Sequence, residues 1–333
     1  MNILSIDGGG IRGIIPGMVV CTLEEKLQKS TGNPEARIAD FFDFFAGTST
    51  GGILTTLYNT PDKSGRPKFT AKDAVNLYID NGRQIFERTI WQKVKSGWGI
   101  LDPKYKARVL ENKLEQYLDE IMLSETLRSC IITAYKIDSG EAWFFTKTKA
   151  ITKRETHDFT LREVCRATSA APTYFEPKLV ENRIKEKFPL IDGGVFANNP
   201  ALCAYAQVRT EIPEKRAADM FIVSLGTGDM GINISYNKAI GWGAAEWVKP
   251  VIDIMMSGVS QTVDYQLKQI FGAVGKPENY VRIDPPELLG NQVQMDNVSA
   301  DNIRSLVNIG RQVSEDNNDK LDEIVSKLIG VIG

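Results

Sequence analysis

Ser49 sits at the centre of Gly47-Thr48-Ser49-Thr50-Gly51, a G-x-S-x-G run. It lies between an apolar segment, "RIADFFDFFAG" (37–47), and "GGILTTLYNT", the small-residue start of a helix. Where a strand turns sharply into a helix, flanking glycines remove the Cβ atoms that would block the bend, and the serine hydroxyl stands above the sheet edge. The helix that follows aims its positive N-terminal end at that hydroxyl and favours negative charge there. The chemistry this suits is nucleophilic attack; the plain alternative is a serine that caps the helix.

A nucleophilic serine needs a base, most often histidine. The chain has one, His157, within "TKRETHDFT", a charged stretch suited to a solvated or capping side chain. A Ser-His-Asp triad is therefore disfavoured, which leaves a carboxylate bonded directly to the serine. Its basicity has to be raised by burial, because an exposed aspartate titrates at about 3.9. Asp192 is the best-placed candidate: "FPLIDGGVFANNP" ends an apolar strand on an aspartate followed by Gly193 and Gly194. Its alternative reading is an ordinary Asp-Gly turn.

The third turn is "ILSIDGGGIRGIIPG", where Gly8, Gly10 and Gly13 satisfy G-x-G-x-x-G after an apolar strand. Such a loop suits a dinucleotide pyrophosphate, or an oxyanion hole made by the N–H groups of Gly8, Gly9 and Gly10. A dinucleotide site calls for an acid at the tip of the second strand. That tip reads Ala46-Gly47-Thr48-Ser49, with Asp40 and Asp43 lying earlier, so the cofactor reading falls behind. Together the three turns supply amides, a hydroxyl and a carboxylate, the inventory of a hydrolase that forms an acyl-enzyme.

Elements able to bring these turns together are legible in the chain order. Apolar strands alternate with helices along most of the 333 residues, without repeat or low-complexity linker. The pattern predicts an α/β fold of layers about a mostly parallel sheet. We read residues 1–333 as one domain, with a core over about 2–210 and a C-terminal helical extension over about 237–330. A net charge of −2 gives no basic field for a nucleic-acid polymer. No run of about 18 apolar residues predicts a membrane span. "MNILSID" begins on a strand rather than a leader, and Cys21, Cys130, Cys165 and Cys203 are scattered, so a cytoplasmic protein with reduced thiols is expected.

The ordered set "DGGGIRG", "GTSTGG", "ATSAAPTYF", "DGG" and "VSLGTG" resembles patatin-like phospholipases, from about residue 2 to about residue 312. The resemblance extends beyond these motifs to "GWGAAEWVKPVIDIMMSGVSQTVDYQL". It implies a three-layer α/β/α fold, a Ser49–Asp192 dyad, an oxyanion hole at 8–10 and metal-free, cofactor-free hydrolysis of lipid acyl esters. The chain departs from that pattern in showing no leader, against a vacuolar storage role, and in carrying Gly194 where many relatives have alanine. Arg12 matches a basic position of the glycine loop, where it would steady the loop, meet a lipid phosphate or simply face solvent. An inactive storage or interaction protein, and an enzyme gated by a small-molecule nucleotide, remain as alternatives.

Membrane contact has two candidate segments. Residues 83–108 hold seven basic and two acidic residues interleaved with aromatics, a mixture suited to an anionic bilayer surface or to a helical hairpin with one solvated face. The stretch around Trp242, Trp247, Met255 and Met256 suits an acyl-chain wall, a lid or core packing. A peripheral contact with the lipid substrate is expected.

Overall fold

Along strand β1 (Asn2–Ile6) successive side chains point to opposite faces, and both faces are buried: Ile3 enters one apolar cluster, Leu4 and Ile6 another. The computed structural model describes residues 1–85, 107–228 and 234–330, and its neighbouring strands repeat that alternation. In β2 (Phe44–Gly47), β3 (Ser129–Lys136) and β7 (Phe221–Leu225), Phe44, Ala46, Ile131 and Ile222 join Ile3, while Phe45, Ile132, Val223 and Leu225 join Leu4.

Helices Ala201–Glu211 and Ala244–Ala273 cover the first face. The second lies under α1 (Ile14–Thr31), α2 (Thr50–Tyr58), α3 (Ala71–Ile85) and the helices Ala107–Leu118, Leu161–Thr168, Ala300–Asp316 and Asn318–Leu328. Helix, sheet and helix thus form three layers. Near-continuous apolar runs in the central strands follow from this two-sided burial.

The sheet is completed by β4 (Glu141–Thr146), β5 (Lys178–Glu181), β6 (Lys187–Asp192) and β8 (Tyr280–Ile283), in the order β5-β6-β3-β2-β1-β7-β8 with β4 beside β3. The pairings β3–β2, β2–β1, β1–β7 and β7–β8 are parallel; β4 and β6 run antiparallel to β3. A strand has only two edges, and β4 occupies one edge of β3 over residues 131–136. Its other edge is therefore shared, with β2 on residues 129–132 and the antiparallel β6 on residues 134–136. The C-terminal tips of β2 and β6 thus face each other along one edge of β3.

Two sequence expectations change here. The strand expected over 37–47 is confined to 44–47, behind a 3-10 turn at Ile38–Asp40. After the glycine loop, a 3-10 turn over Gly10–Gly13 leads into α1 at Ile14. The core does not end near 210 with helices alone beyond 237, because β7 lies against β1 and β8 against β7. Helix Ala300–Asp316 packs so closely on α1 that a Cβ at Gly310 would stand 2.6 Å from the Met18 Cβ. Most of the basic stretch 83–108, residues 86–106, lies outside the described residues. No described helix is long and apolar enough to cross a membrane.

Candidate active site

Ser49 adopts φ 54° and ψ −121° at the junction of β2 and α2. Such a conformation is strained for a side chain with a Cβ and persists only where surrounding contacts enforce it. Those contacts are backbone against backbone: a Cβ at Gly51 would lie 2.1 Å from the Ile6 carbonyl oxygen, and one at Gly47 would lie 2.5 Å from that of Gly51. The Ser49 N–H donates to Thr168 Oγ1 at 2.8 Å, at the end of helix Leu161–Thr168. The serine side chain makes no capping bond to α2, which removes the plain reading and leaves the hydroxyl available.

The opposed tips of β2 and β6 bring Asp192 to this hydroxyl. Gly47 pairs with Ile132 and Asp192 with Ala134, so the single residue Thr133 separates the two tips. Thr48 Oγ1 donates to the Ala197 carbonyl at 2.6 Å. Its one hydrogen is then spent, and Thr133 Oγ1 donates to it across 2.7 Å. A Cβ at Gly193 would fall 2.1 Å from that Thr133 oxygen, so the turn after Asp192 closes only over glycine.

The Asp192 carboxyl is 3% exposed, receives the Gly194 N–H at 2.7 Å and shares the cavity wall with Ser49. Burial pushes it up to about 7, against the lowering effect of the nearby Ser49 hydroxyl and the Gly194 N–H. The sequence marks Asp192 as a carboxylate at a strand end; the antiparallel course of β6 is what brings it here.

The glycine loop packs against the same turn. Gly8 donates its N–H to the Asn198 carbonyl at 3.1 Å, so that amide is committed and the expected three-donor set is corrected. Gly9 and Gly10 line the cavity beside Ser49, and neither N–H meets a protein acceptor among the described residues. Ile11 and Arg12 donate to the Met295 and Gly9 carbonyls, which leaves few amides for a pyrophosphate. At Gly10 a φ of 59° and a carbonyl 2.3 Å from any Cβ make glycine a requirement.

From behind, Thr227 donates to the Gly8 carbonyl at 2.7 Å, and Arg282 grips the buried Asp7 with two bonds of 3.0 and 2.7 Å. Arg12 is 2% exposed and donates to the Gly9 and Gly228 carbonyls, both at 3.3 Å. It is a brace of the loop, neither a surface arginine nor a wall of the cavity beside Ser49; the cavity it does line is a separate polar one, with Asp7 and Arg282. Thr227→Val keeps the side-chain shape and removes one loop bond. The expected result is a kcat lowered on the order of tenfold to a hundredfold with KM little changed, measured by steady-state ester hydrolysis.

The cavity around Ser49 and Asp192 is largely apolar, walled by Ile53, Leu77, Ile85, Leu110, Phe175 and Met256, with Thr50 and Ser169 also on its lining. His157 is not among its lining residues. Its ring stacks on Trp143 at 5.4 Å, and its Nδ1 shares a hydrogen bond with Thr156 Oγ1. Among the described residues no group of three His, Cys, Asp or Glu side chains is placed to hold a metal ion.

Thr133, Thr168, Asn198, Thr227 and the Asp7–Arg282 pair shape this site without having stood out as candidates. Thr168 and Thr227 lie within "ATSAAP" and "VSLGTG", motifs legible as part of a resemblance but with no chemistry of their own to flag them.

Known proteins share the arrangement's sequence. The family description "Patatin-like phospholipase" matches residues 4–205. A potato (Solanum tuberosum) protein named "Probable inactive patatin-3-Kuras 1" is 34% identical over 96% of this chain and 89% of its own. "Patatin-like protein 4" of Arabidopsis thaliana is 34% identical over 95% of this chain and 84% of its own. "Patatin-like protein 1" of the same plant is 35% identical over 94% and 81%. Spread over nearly the full length and joined to the site just described, these identities place the chain in the patatin-like phospholipase family.

Proposed function

We propose that this protein is a serine lipid acyl hydrolase of the phospholipase A type, working through a Ser49–Asp192 dyad and an acyl-enzyme. The observation that carries the reading is a strained serine and a buried carboxyl on the wall of one largely apolar cavity, with the chain's single histidine engaged elsewhere. Family membership does not suffice, since one relative is named as probably inactive. The apolar walls suit a fatty-acyl chain, whose ester carbonyl would lie beside Ser49.

In the proposed reaction the Asp192 carboxylate takes the Ser49 proton as Oγ attacks the ester carbon. Negative charge developing on the carbonyl oxygen faces the Gly9 and Gly10 amides, each such donor contributing about 2.7–4 kcal/mol at the transition state. Collapse of the tetrahedral intermediate breaks the ester bond, and Asp192 returns the proton to the departing alcohol. Water then attacks the acyl-enzyme and gives its proton to Asp192; collapse of the second tetrahedral intermediate breaks the Oγ–acyl bond, Asp192 returns that proton to Ser49 Oγ, and the fatty acid leaves.

Incubation with mixed phospholipid vesicles, read by mass spectrometry, is expected to give free fatty acid and lysophospholipid in equal amounts. Because the carboxylate has to be ionised to accept a proton, kcat/KM is expected to rise with pH through about 7 and then level. Absence of fatty-acid release from every acyl ester across that range would make the protein an inert member of its family.

A further inference from the structure

Helix Ala244–Ala273 is apolar on two adjoining stripes, and only one of them is covered. Ile252 and Met256, one turn apart, face the cavity, where Met256 and Met295 form a small apolar cluster with Tyr174. Val251, Ile254 and Met255 form the next stripe, and each is at least 41% exposed. Residues of a surface helix that face water are ordinarily polar. Trp247 lies one turn before Val251, half-buried, in a T-shaped pair with Trp242 at 5.0 Å. Nearby segments repeat the pattern: Tyr236 and Ile240 precede the helix, and Leu289 precedes the cavity residue Met295, all at least 69% exposed.

The same two segments therefore present apolar groups inward to the cavity and outward to water. We infer that the outward stripe of Val251, Ile254 and Met255, with the Trp242–Trp247 pair at its edge, is the surface that seats on lipid. The inference rests on the proposed lipid substrate: an acyl chain leaving a bilayer reaches Ser49 without crossing water only if apolar surface joins the two. Tryptophan and tyrosine at the rim suit the headgroup level. Docking by this stripe is driven by apolar transfer and depends little on salt, whereas docking by the basic run 83–108 would be salt-sensitive and need anionic lipid.

The test compares the full-length protein with a variant carrying Val251→Asp, Ile254→Asp and Met255→Asp; none of the three lines the cavity. Flotation with phosphatidylcholine vesicles is expected to carry the unmodified protein at low salt and at about 0.5 M salt alike. The variant is expected to float at least about tenfold less and to hydrolyse vesicle lipid at least about tenfold more slowly. Its rate on a monomeric short-chain p-nitrophenyl ester stays within about twofold of the parent.

Equal flotation of variant and parent overturns the inference. So does binding that requires anionic lipid and vanishes with salt, or a parent dimer that the variant splits in light scattering, which would make the stripe a contact between copies. Loss of both activities together would also overturn it, by showing that the stripe shapes the site. Flotation needs no catalysis, so a parent that floats but hydrolyses nothing refutes the proposed reaction and leaves the docking surface standing. Should the triple variant not fold, Ile254→Asp alone is read in the same way.

Discussion

Ser49→Ala is expected to abolish labelling by a fluorophosphonate and to lower kcat/KM for ester hydrolysis by about 10⁴-fold or more. The size of the effect follows from the chemistry: without Oγ no acyl-enzyme forms, and a water molecule in its place lacks the fixed position the strained turn gives the hydroxyl. The fold should survive, because the contacts that hold residue 49 are backbone ones. Its N–H donates to Thr168 Oγ1 at 2.8 Å and its carbonyl accepts from Ile53 at 3.0 Å, and alanine keeps both. Circular dichroism and a thermal melt check that point. His157→Ala serves as the opposite control and should retain activity within about twofold, since the ring stacks on Trp143 away from the cavity. Labelling that persisted in Ser49→Ala would move the nucleophile elsewhere. An inactive but folded His157→Ala protein would return the mechanism to a histidine base.

The parts of this site that sequence made legible are those whose residue types are forced locally. Gly47 and Gly51 flank the elbow because backbone oxygens occupy the space of their Cβ atoms, and Gly193 meets Thr133 in the same way. A glycine so required leaves its mark in any reading of the chain. Asp192 was legible as a carboxylate at a strand end, but not its direction of travel. Whether β6 runs parallel or antiparallel to β3 depends on where the chain crosses between residues 136 and 187, and no local residue type encodes that. The commitment of the Gly8 amide to Asn198 is equally non-local, a bond between residues 190 positions apart along the chain.

Arg12 shows the limit from the other side. Arginine is seldom fully buried, so a solvent-facing or phosphate-facing side chain stands beside the loop-steadying role as an expectation from sequence. Carbonyls of Gly9 and Gly228 instead take up part of its charge inside the protein. The C-terminal region holds a strand that sequence hides for a related reason. Four residues of β8, Tyr280–Ile283, are too few for a periodic signal, yet they carry Arg282 to Asp7 and so tie the end of the sheet to the start of the glycine loop.

Asp192→Asn is expected to lower activity by about 10³-fold or more while raising thermal stability at alkaline pH, a combination few substitutions produce. The carboxyl stands at about 7 in the folded protein against a reference value of 3.8. The folded protein therefore holds a proton that the unfolded chain releases between these values. Stability falls as pH rises through that window and levels off above it. At 1.36 kcal/mol for each pK unit, the ionised carboxylate costs about 4 kcal/mol above pH 7 and close to nothing below pH 4. Asparagine has the same shape, keeps an oxygen for the Gly194 N–H at 2.7 Å and carries no charge. Part of the gain is offset by burying its amide group, whose own donors need partners. A net rise in Tm of about 3 °C at pH 8 is the expected outcome; it shrinks as the pH falls and turns slightly negative near pH 4, where only the cost of the buried amide remains. Calorimetry of both proteins across that range reads the difference directly. A Tm gap that stayed constant with pH would mean that the folded protein does not disfavour the charge on residue 192, and the base would have to be sought in another group.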